Sequence, residues 1–330
     1  MDVKIDPRAC VKGILQGTPP PRPLFLPIVF SHAARIENLP LRAFLANPTK
    51  ITQALRQLRA HLRSDGVTCY CDPFLEAEAL GATLEWSASA QPSIRWPRNP
   101  LNGDLHDVNA LPTRGRIPIA VEVIRRMKSL LREEALLIAT LSGPLALAAQ
   151  IGLPATEGAS GSHIPEPAVE LASAAITPIT TAFLEAGANV IFIREDLPAA
   201  TKDFSAWASH LATTTNVIRF YGALPVLVLN AGSENLEAIL QQPSECILSP
   251  VLTDSILPVL EKIEKPSPAN FGIALPAGKT SSGTIGAPIS NEILRRFVSE
   301  FQPALITTSG DVPDDVDLKD LNKLRETLIA

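Results

Sequence analysis

The feature that most constrains this chain is an alternation. Short, continuously apolar runs follow stretches of helical spacing about eight times along its 330 residues. The runs are "PLFLPIVF" (23–30), "GVTCYCD" (66–72), "ALLIATLSG" (135–143), "ANVIFIRED" (188–196), "ALPVLVLNAG" (223–232), "CILSP" (246–250), "NFGIALPAG" (270–278) and "ALITTSGD" (304–311). Helical patterns at 41–64, 119–134, 166–186, 204–215, 233–241, 252–264, 290–301 and 317–328 separate them and close the chain; in the first, Leu55, Leu58 and Leu62 share a face. Strands that are apolar throughout, not at every second residue, are buried on both faces, as in a parallel sheet covered by helices. The count and the length predict an α/β fold, a single (β/α)8 TIM barrel over residues 1–330, with residues 1–20 as an N-terminal extension. A doubly wound sheet is the runner-up. It wants a Gly-rich phosphate loop after the first strand, and "FSHAARI" is not one.

Composition narrows the function classes. The net charge of -5 and the absence of a basic run argue against nucleic acid as a partner. "MDVKIDPRAC" has no apolar signal region, and "ALLIATLSGPLALAAQIGL" is broken by Gly143 and Pro144, so a cytoplasmic protein without a membrane span is expected. The four cysteines read as small buried hydrophobes in a reducing compartment. Cys69 and Cys71 alternate on one strand, so they are expected to share a face, a weak metal signal.

A barrel of this kind works at the C-terminal ends of its strands. The polar residues there are Ser31, His32, Arg35, Asp72, Glu76, Ser142, Arg194, Glu195, Asp196, Asn230, Lys279, Thr280, Ser309 and Asp311. Asp72 can bind or donate polar hydrogens; its other reading is a helix cap or a partner of Arg35. Arg35 can clamp an anionic arm, and His32 has the chemistry of a general base. Glu76 is expected to face the mouth in preference to Glu78, with Glu195 and Asn230 on its rim. "PAGKTSSGTIGAP" (276–288) contains Gly-Lys-Thr, but Ile273 stands where a P-loop needs its first Gly. It reads as a loop over the mouth that brings Lys279 to an anion, and "LPATEGASGSHIPEP" (153–167) as another such loop.

Several segments, in order, resemble the uroporphyrinogen decarboxylase superfamily, which includes the corrinoid-linked methyltransferases. "CDPFLEAEALGATLEW" (71–86) looks like the family segment with an Asp nine residues before the Gly of Ala-Leu-Gly, here Asp72 and Gly81. "ATLSGPLALAAQ" resembles the Gly-Pro strand–helix junction, and "EAGANVIFIRED" the "AGAD" junction, with Glu195 at an acidic position. "HAARIENLP" resembles the first loop, "RQAGRYLPE", and "NEILRRF" with "ITTSGDVPDD" the last barrel unit. The form "EAEALG" is nearer the methyltransferase branch.

The resemblance implies a (β/α)8 barrel, a homodimer and an enzyme, either a methyltransferase or a carboxy-lyase. It also implies a tetrapyrrole or a corrinoid (cobalamin) as substrate or cofactor, or a separate corrinoid protein as partner. It bears on the positions of Ser31, Arg35 and Gln150 for substrate binding and of Asp72 and Glu195 for catalysis; the strand-end and loop reading adds His32 as a catalytic residue and Glu76, Asn230 and Lys279 as substrate-binding ones. Ser31 stands at the first loop arginine, Gln150 at a tyrosine, and no His follows His210. Leu229, Ala231 and Asp311 stand at the three zinc-ligand positions of the methyltransferases, so the expectation is methyl transfer without a zinc–thiolate, with no metal bound; His32, Cys69 and Cys71 are the residues from which a site would have to be rebuilt. Decarboxylation of a tetrapyrrole and non-catalytic tetrapyrrole or corrinoid binding are the alternatives.

Overall fold

The computed structural model describes residues 5–86, 92–101, 107–152, 164–197, 204–240, 245–262, 265–278 and 290–329. Eight parallel strands follow one another around a barrel: β1 (Leu24–Phe25), β2 (Gly66–Tyr70), β3 (Leu136–Ser142), β4 (Val190–Asp196), β5 (Leu224–Asn230), β6 (Ile247–Pro250), β7 (Gly272–Leu275) and β8 (Leu305–Thr308). Ladders join β2 through β6 in sequence, and β7 to β8 to β1. Two isolated bridges, Leu248 to Phe271 and Val251 to Ala274, carry β6 across to β7.

The last junction, β1 to β2, is made differently. Asp65 donates its backbone N–H to the carbonyl of Phe25 (3.0 Å), and its carboxylate accepts the N–H of Phe25 (2.8 Å). Both carboxylate oxygens also hold Arg22, at 2.8 and 2.9 Å, in a buried fork. One acidic residue therefore ties the first strand to the second at the end of the barrel opposite the mouth.

The strands are buried along most of their length, and all seven residues of β3 are inaccessible. Helices cover the outside: α1 (Pro7–Leu15), α2 (Ser31–Ile36), α3 (Leu41–Leu45), α4 (Pro48–His61), α5 (Leu75–Ala79), α6 (Ile117–Leu131), α7 (Pro144–Gly152), α8 (Glu166–Ala186), α9 (Phe204–Phe220), α10 (Ser233–Leu240), α11 (Leu257–Leu260), α12 (Asn291–Phe301) and α13 (Leu318–Ile329). The N-terminal segment contributes α1, whose Cys10, Val11 and Ile14 are buried in the core. Helix α8 is long and apolar enough to cross a membrane by length and composition, and half of that window is buried inside the protein.

Three expectations shift. The helix read over 41–64 is two, because Pro48 cannot extend α3; Asn47 caps α4 instead, accepting the N–H of Lys50. The helix read over 252–264 is one short turn among the described residues. The ladder of β1 is two residues long, because after the backbone bond of Leu26 to Ile306 side chains take over: Thr308 accepts the N–H of Ile28, and Asp311 accepts those of Phe30 and Ser31. An antiparallel hairpin (Thr83–Glu85 with Ser93–Arg95), not anticipated, follows α5; just past it the Trp96 indole N–H bonds the carbonyl of Gln150.

Candidate active site

Each barrel strand ends in backbone groups that the next helix leaves unpaired, and neighbouring carboxylates meet them. Glu195, at the end of β4, reaches back to the start of α7 and accepts the N–H groups of Ala146 (2.6 Å) and Leu145 (3.2 Å), with the Trp207 indole N–H at 3.2 Å. Gly143 makes this possible, since a Cβ there would lie 2.4 Å from a carboxylate oxygen of Glu195. Burial pushes the Glu195 carboxyl up to about 7. Glu76, in the first turn of α5, is fully buried and accepts the backbone N–H and the hydroxyl of Ser142, both at 3.1 Å; burial pushes it up to about 7 as well. Asp311, beyond β8, accepts the N–H groups of Phe30 (2.7 Å) and Ser31 (2.9 Å), and burial raises its carboxyl to about 6. Asp72 accepts the N–H of Phe74 at 2.8 Å, closing the turn after β2.

Asp72 has a second partner that the sequence did not offer. Arg116, at the start of α6, bonds the Asp72 carboxylate (2.5 Å) and the Glu78 carboxylate (2.7 Å). Arg116 and Asp72 are both nearly inaccessible. Burial works against the guanidinium charge, but Asp72, Tyr70 and Glu78 together outweigh it, so Arg116 holds its proton more tightly than usual.

Above these residues opens a cavity of about 190 Å³, lined by Phe30, Ser31, Cys71, Asp72, Arg194 and Asp311 among others. Arg194, on β4, is half-buried, and among the described residues its guanidinium makes no hydrogen bond or ion pair. A second, wider cavity of about 580 Å³ shares Ser31, Leu41 and Asp311 with the first and runs outward past Arg35.

The expected site residues are therefore divided. Asp72 and Ser31 line the mouth. Glu76 is buried beneath it on Ser142 and does not face the opening, while Glu78 takes the contact with Arg116. Glu195 is turned to α7. Gln150 donates to the carbonyl of Pro73 (3.0 Å), and Asn230 donates to Asp196 (2.9 Å) on the exposed rim. Arg35 is exposed, bonds the carbonyl of Asp314 (2.7 Å) and is not the partner of Asp72. His32 stands apart from the mouth, because one step along α2 turns it away from Ser31. Its Nε2 meets the carbonyl of Val316 (2.9 Å), and it lines a separate 540 Å³ cleft beside α13. Lys279, like His163, lies outside the described residues.

The cysteines do not form a metal site either. A bulge between Thr68 and Tyr70 breaks the pairing of β2 with β3 at Cys69, so Cys69 and Cys71 do not share a face. Cys71 meets the mouth, while Cys69 contacts the carbonyl of Val67. Burial pushes both thiols up to about 12, unlike metal-binding thiolates. Among the described residues no group of three His, Cys, Asp or Glu side chains is placed to hold a metal ion. With no donor atom on Leu229 or Ala231 and both thiols held protonated, the described residues do not fit a zinc ion.

The family model described as uroporphyrinogen decarboxylase (URO-D) matches residues 11–215, more than half of the chain. No curated protein matches. Among solved structures, a methyltransferase from Methanosarcina mazei superposes with a TM-score of 0.74 at 15% identity, over 98% of each chain. A D-tagatose 3-epimerase-like protein gives a TM-score of 0.41 at 13% identity, over 64% of this chain and 85% of its own. The first shows the same fold from end to end. The eight-stranded barrel, the Asp72 turn, the Gly143-Pro144 junction and the family match agree, and the chain belongs to the uroporphyrinogen decarboxylase family.

Proposed function

We propose that the chain is an enzyme of the methyltransferase branch of this family, which methylates or demethylates a small molecule at the barrel mouth without zinc. One observation carries the reading: Asp72, Asp311 and Arg194 line a single cavity at the C-terminal ends of the strands, where such barrels work. The M. mazei methyltransferase, alike in fold along the whole chain, is in keeping with this branch.

The cavity is smaller than the 300–1,000 Å³ typical of pockets that enclose drug-sized ligands. It suits the reacting end of a small acceptor, not a whole tetrapyrrole or corrin ring. A corrinoid therefore enters the reading as a co-substrate presented from outside, on a partner protein, and supplies the methyl group. The residues of this chain have separate tasks. Asp72, held in place by Arg116, keeps lone pairs for polar hydrogens of the acceptor. Asp311, which titrates near 6, takes the proton from the acceptor atom as that atom gains its methyl group, and returns it in the reverse direction. The Cys71 thiol, raised to about 12, stays protonated and is not the nucleophile.

The test is a parallel titration with methylcobalamin and with a reduced uroporphyrin-type tetrapyrrole, following the fluorescence of Trp86, Trp96 and Trp207 in wild type and Asp72→Asn. Corrinoid-dependent quenching, followed by loss of the methyl–cobalt absorbance when an acceptor is added, supports the reading. Binding of the tetrapyrrole through Asp72, with release of carbon dioxide, replaces it with the decarboxylase reading. Binding of either ligand without turnover replaces it with a non-catalytic binder.

A further inference from the structure

The mouth contains one charge, Arg194, that no described residue meets with a hydrogen bond or ion pair. Two carboxylates, Asp72 and Asp311, line the same cavity, with Glu76 buried beneath it and Glu195 turned to α7, and each is already engaged. Asp72 holds Arg116 and the N–H of Phe74. Asp311 holds the N–H groups of Phe30 and Ser31. Glu76 holds Ser142, and Glu195 holds the start of α7 and Trp207. Arg194 lies among them with no hydrogen bond or ion pair among the described residues. Its charge is nevertheless felt, acting on both the Cys71 thiol and the Glu76 carboxyl.

A guanidinium offers five donors in a flat fork. In this half-buried site water can reach them, and a planar anion of matching shape can take its place. Here the surroundings leave room for one. Residue 310 is a glycine, and a Cβ there would meet Arg194 Nη1 at 3.7 Å, so the space beside that nitrogen is open toward β8. The strand places the Arg194 head in the same cavity as Asp72 and Asp311, directly beside the groups that act on the substrate.

We propose that the barrel mouth selects a small monocarboxylate, held as its anion by the Arg194 guanidinium in a two-point contact; this rests on the mouth being the working site. A planar carboxylate matches the guanidinium fork. A phosphate would bring a second negative charge toward Asp72 and Asp311 in a cavity of about 190 Å³. Arg194 thus acts as the specificity-determining residue. It fixes the acid end of the substrate and leaves the other end toward Asp72 and Asp311.

The experiment compares butyrate with the uncharged butyramide of the same shape, by NMR line broadening of the small molecule on the full chain at constant ionic strength. Wild type, Arg194→Met and Gly310→Ala are measured, with thermal unfolding of each variant recorded alongside. The expected result is binding of butyrate in the millimolar range, on the order of tenfold weaker binding of butyramide, and a similar loss of butyrate binding in R194M. G310A leaves Arg194 in place and fills the space beside it, so it too is expected to weaken butyrate, even if R194M fails to fold. The proposal is overturned if butyramide binds as well as butyrate, if a folded R194M or G310A keeps wild-type affinity, if inorganic phosphate displaces butyrate at lower concentration than butyrate itself requires, or if no butyrate binding is seen at ~50 mM. No turnover is involved. Methyl transfer can fail while this binding holds, and this binding can fail while methyl transfer is observed.

Discussion

Arg116 and Asp72, 44 residues apart in the chain, form a buried ion pair that joins the start of α6 to the end of β2. Glu78 shares the same guanidinium. One arginine therefore holds both the strand end and the short helix α5 that follows it, and with them the position of the carboxylate at the mouth.

Removing that arginine leaves a carboxylate buried without its counter-charge. Arg116→Met is expected to destabilise the protein by about 3–5 kcal/mol, and Asp72→Asn by less, because Glu78 still holds the guanidinium. Urea unfolding of both variants checks the order. An R116M midpoint equal to that of wild type would show that the pair is not a structural tie.

Gly143 and Glu195 form a second coupled pair. Gly143→Ala places a methyl group 2.4 Å from a Glu195 oxygen, and a cost of about 1–3 kcal/mol is expected. Glu195→Ala removes the obstacle but strips two N–H groups of α7 of their acceptor. The double variant should therefore be more stable than the sum of the two single losses implies. Simple additivity in a denaturation cycle would contradict the close approach.

The two buried glutamates set a pH dependence of stability. Glu76 and Glu195 are each raised from 4.5 to about 7 by burial. Between these values the folded protein keeps protons that the unfolded chain has lost. Their contribution is therefore complete below about 4.5 and is lost as pH rises through about 7, by up to about 3 kcal/mol for each group. Urea midpoints at pH 5 and pH 8 should fall more in wild type than in Glu76→Gln or Glu195→Gln. An unchanged fall in both variants would assign the slope to other groups.

For the proposed methyl transfer, the carboxyl that sets the pH dependence is that of Asp311. With its titration near 6, the rate of methylation is expected to rise as pH increases through that value and the carboxylate becomes available as base. Asp311→Asn should remove this limb of the kcat/KM profile. A limb that persists in D311N would place the titrating group elsewhere.

The barrel was legible in the sequence because its signal is repeated: continuous apolar runs such as 136–142 have no other comfortable home than a covered parallel sheet. Helix 166–186 is found with the bounds expected, since Pro167 opens it and Gly187, at φ 114°, ends it. The site was legible only in part. Asp72 and Asp311 sit at strand ends, where position alone points to the mouth. Arg116 lies on a separate unit with no motif around it, and only the folded chain brings it to Asp72. Arg194 was among the strand-end residues, but its importance comes from what its neighbours do with their own oxygens, which no spacing encodes. Cys69 and Cys71 were misplaced by a single-residue bulge, which overturns the alternation that any strand reading assumes.

The seam between β1 and β2 gives the ring a clasp at one end only. Among the described residues the two strands share one backbone hydrogen bond, at Asp65, with the Arg22 fork beside it. Toward the mouth they are held by ring packing of Phe30 on Tyr70, 5.2 Å between centroids. Phe30 and Ser31 on one side, and Cys71 and Asp72 on the other, are the lips of the cavity at the mouth. The lip that β1 contributes is tied to the end of β8 instead, through Thr308 and Asp311, so at the top of this seam side-chain packing stands in for the strand pairing found around the rest of the ring.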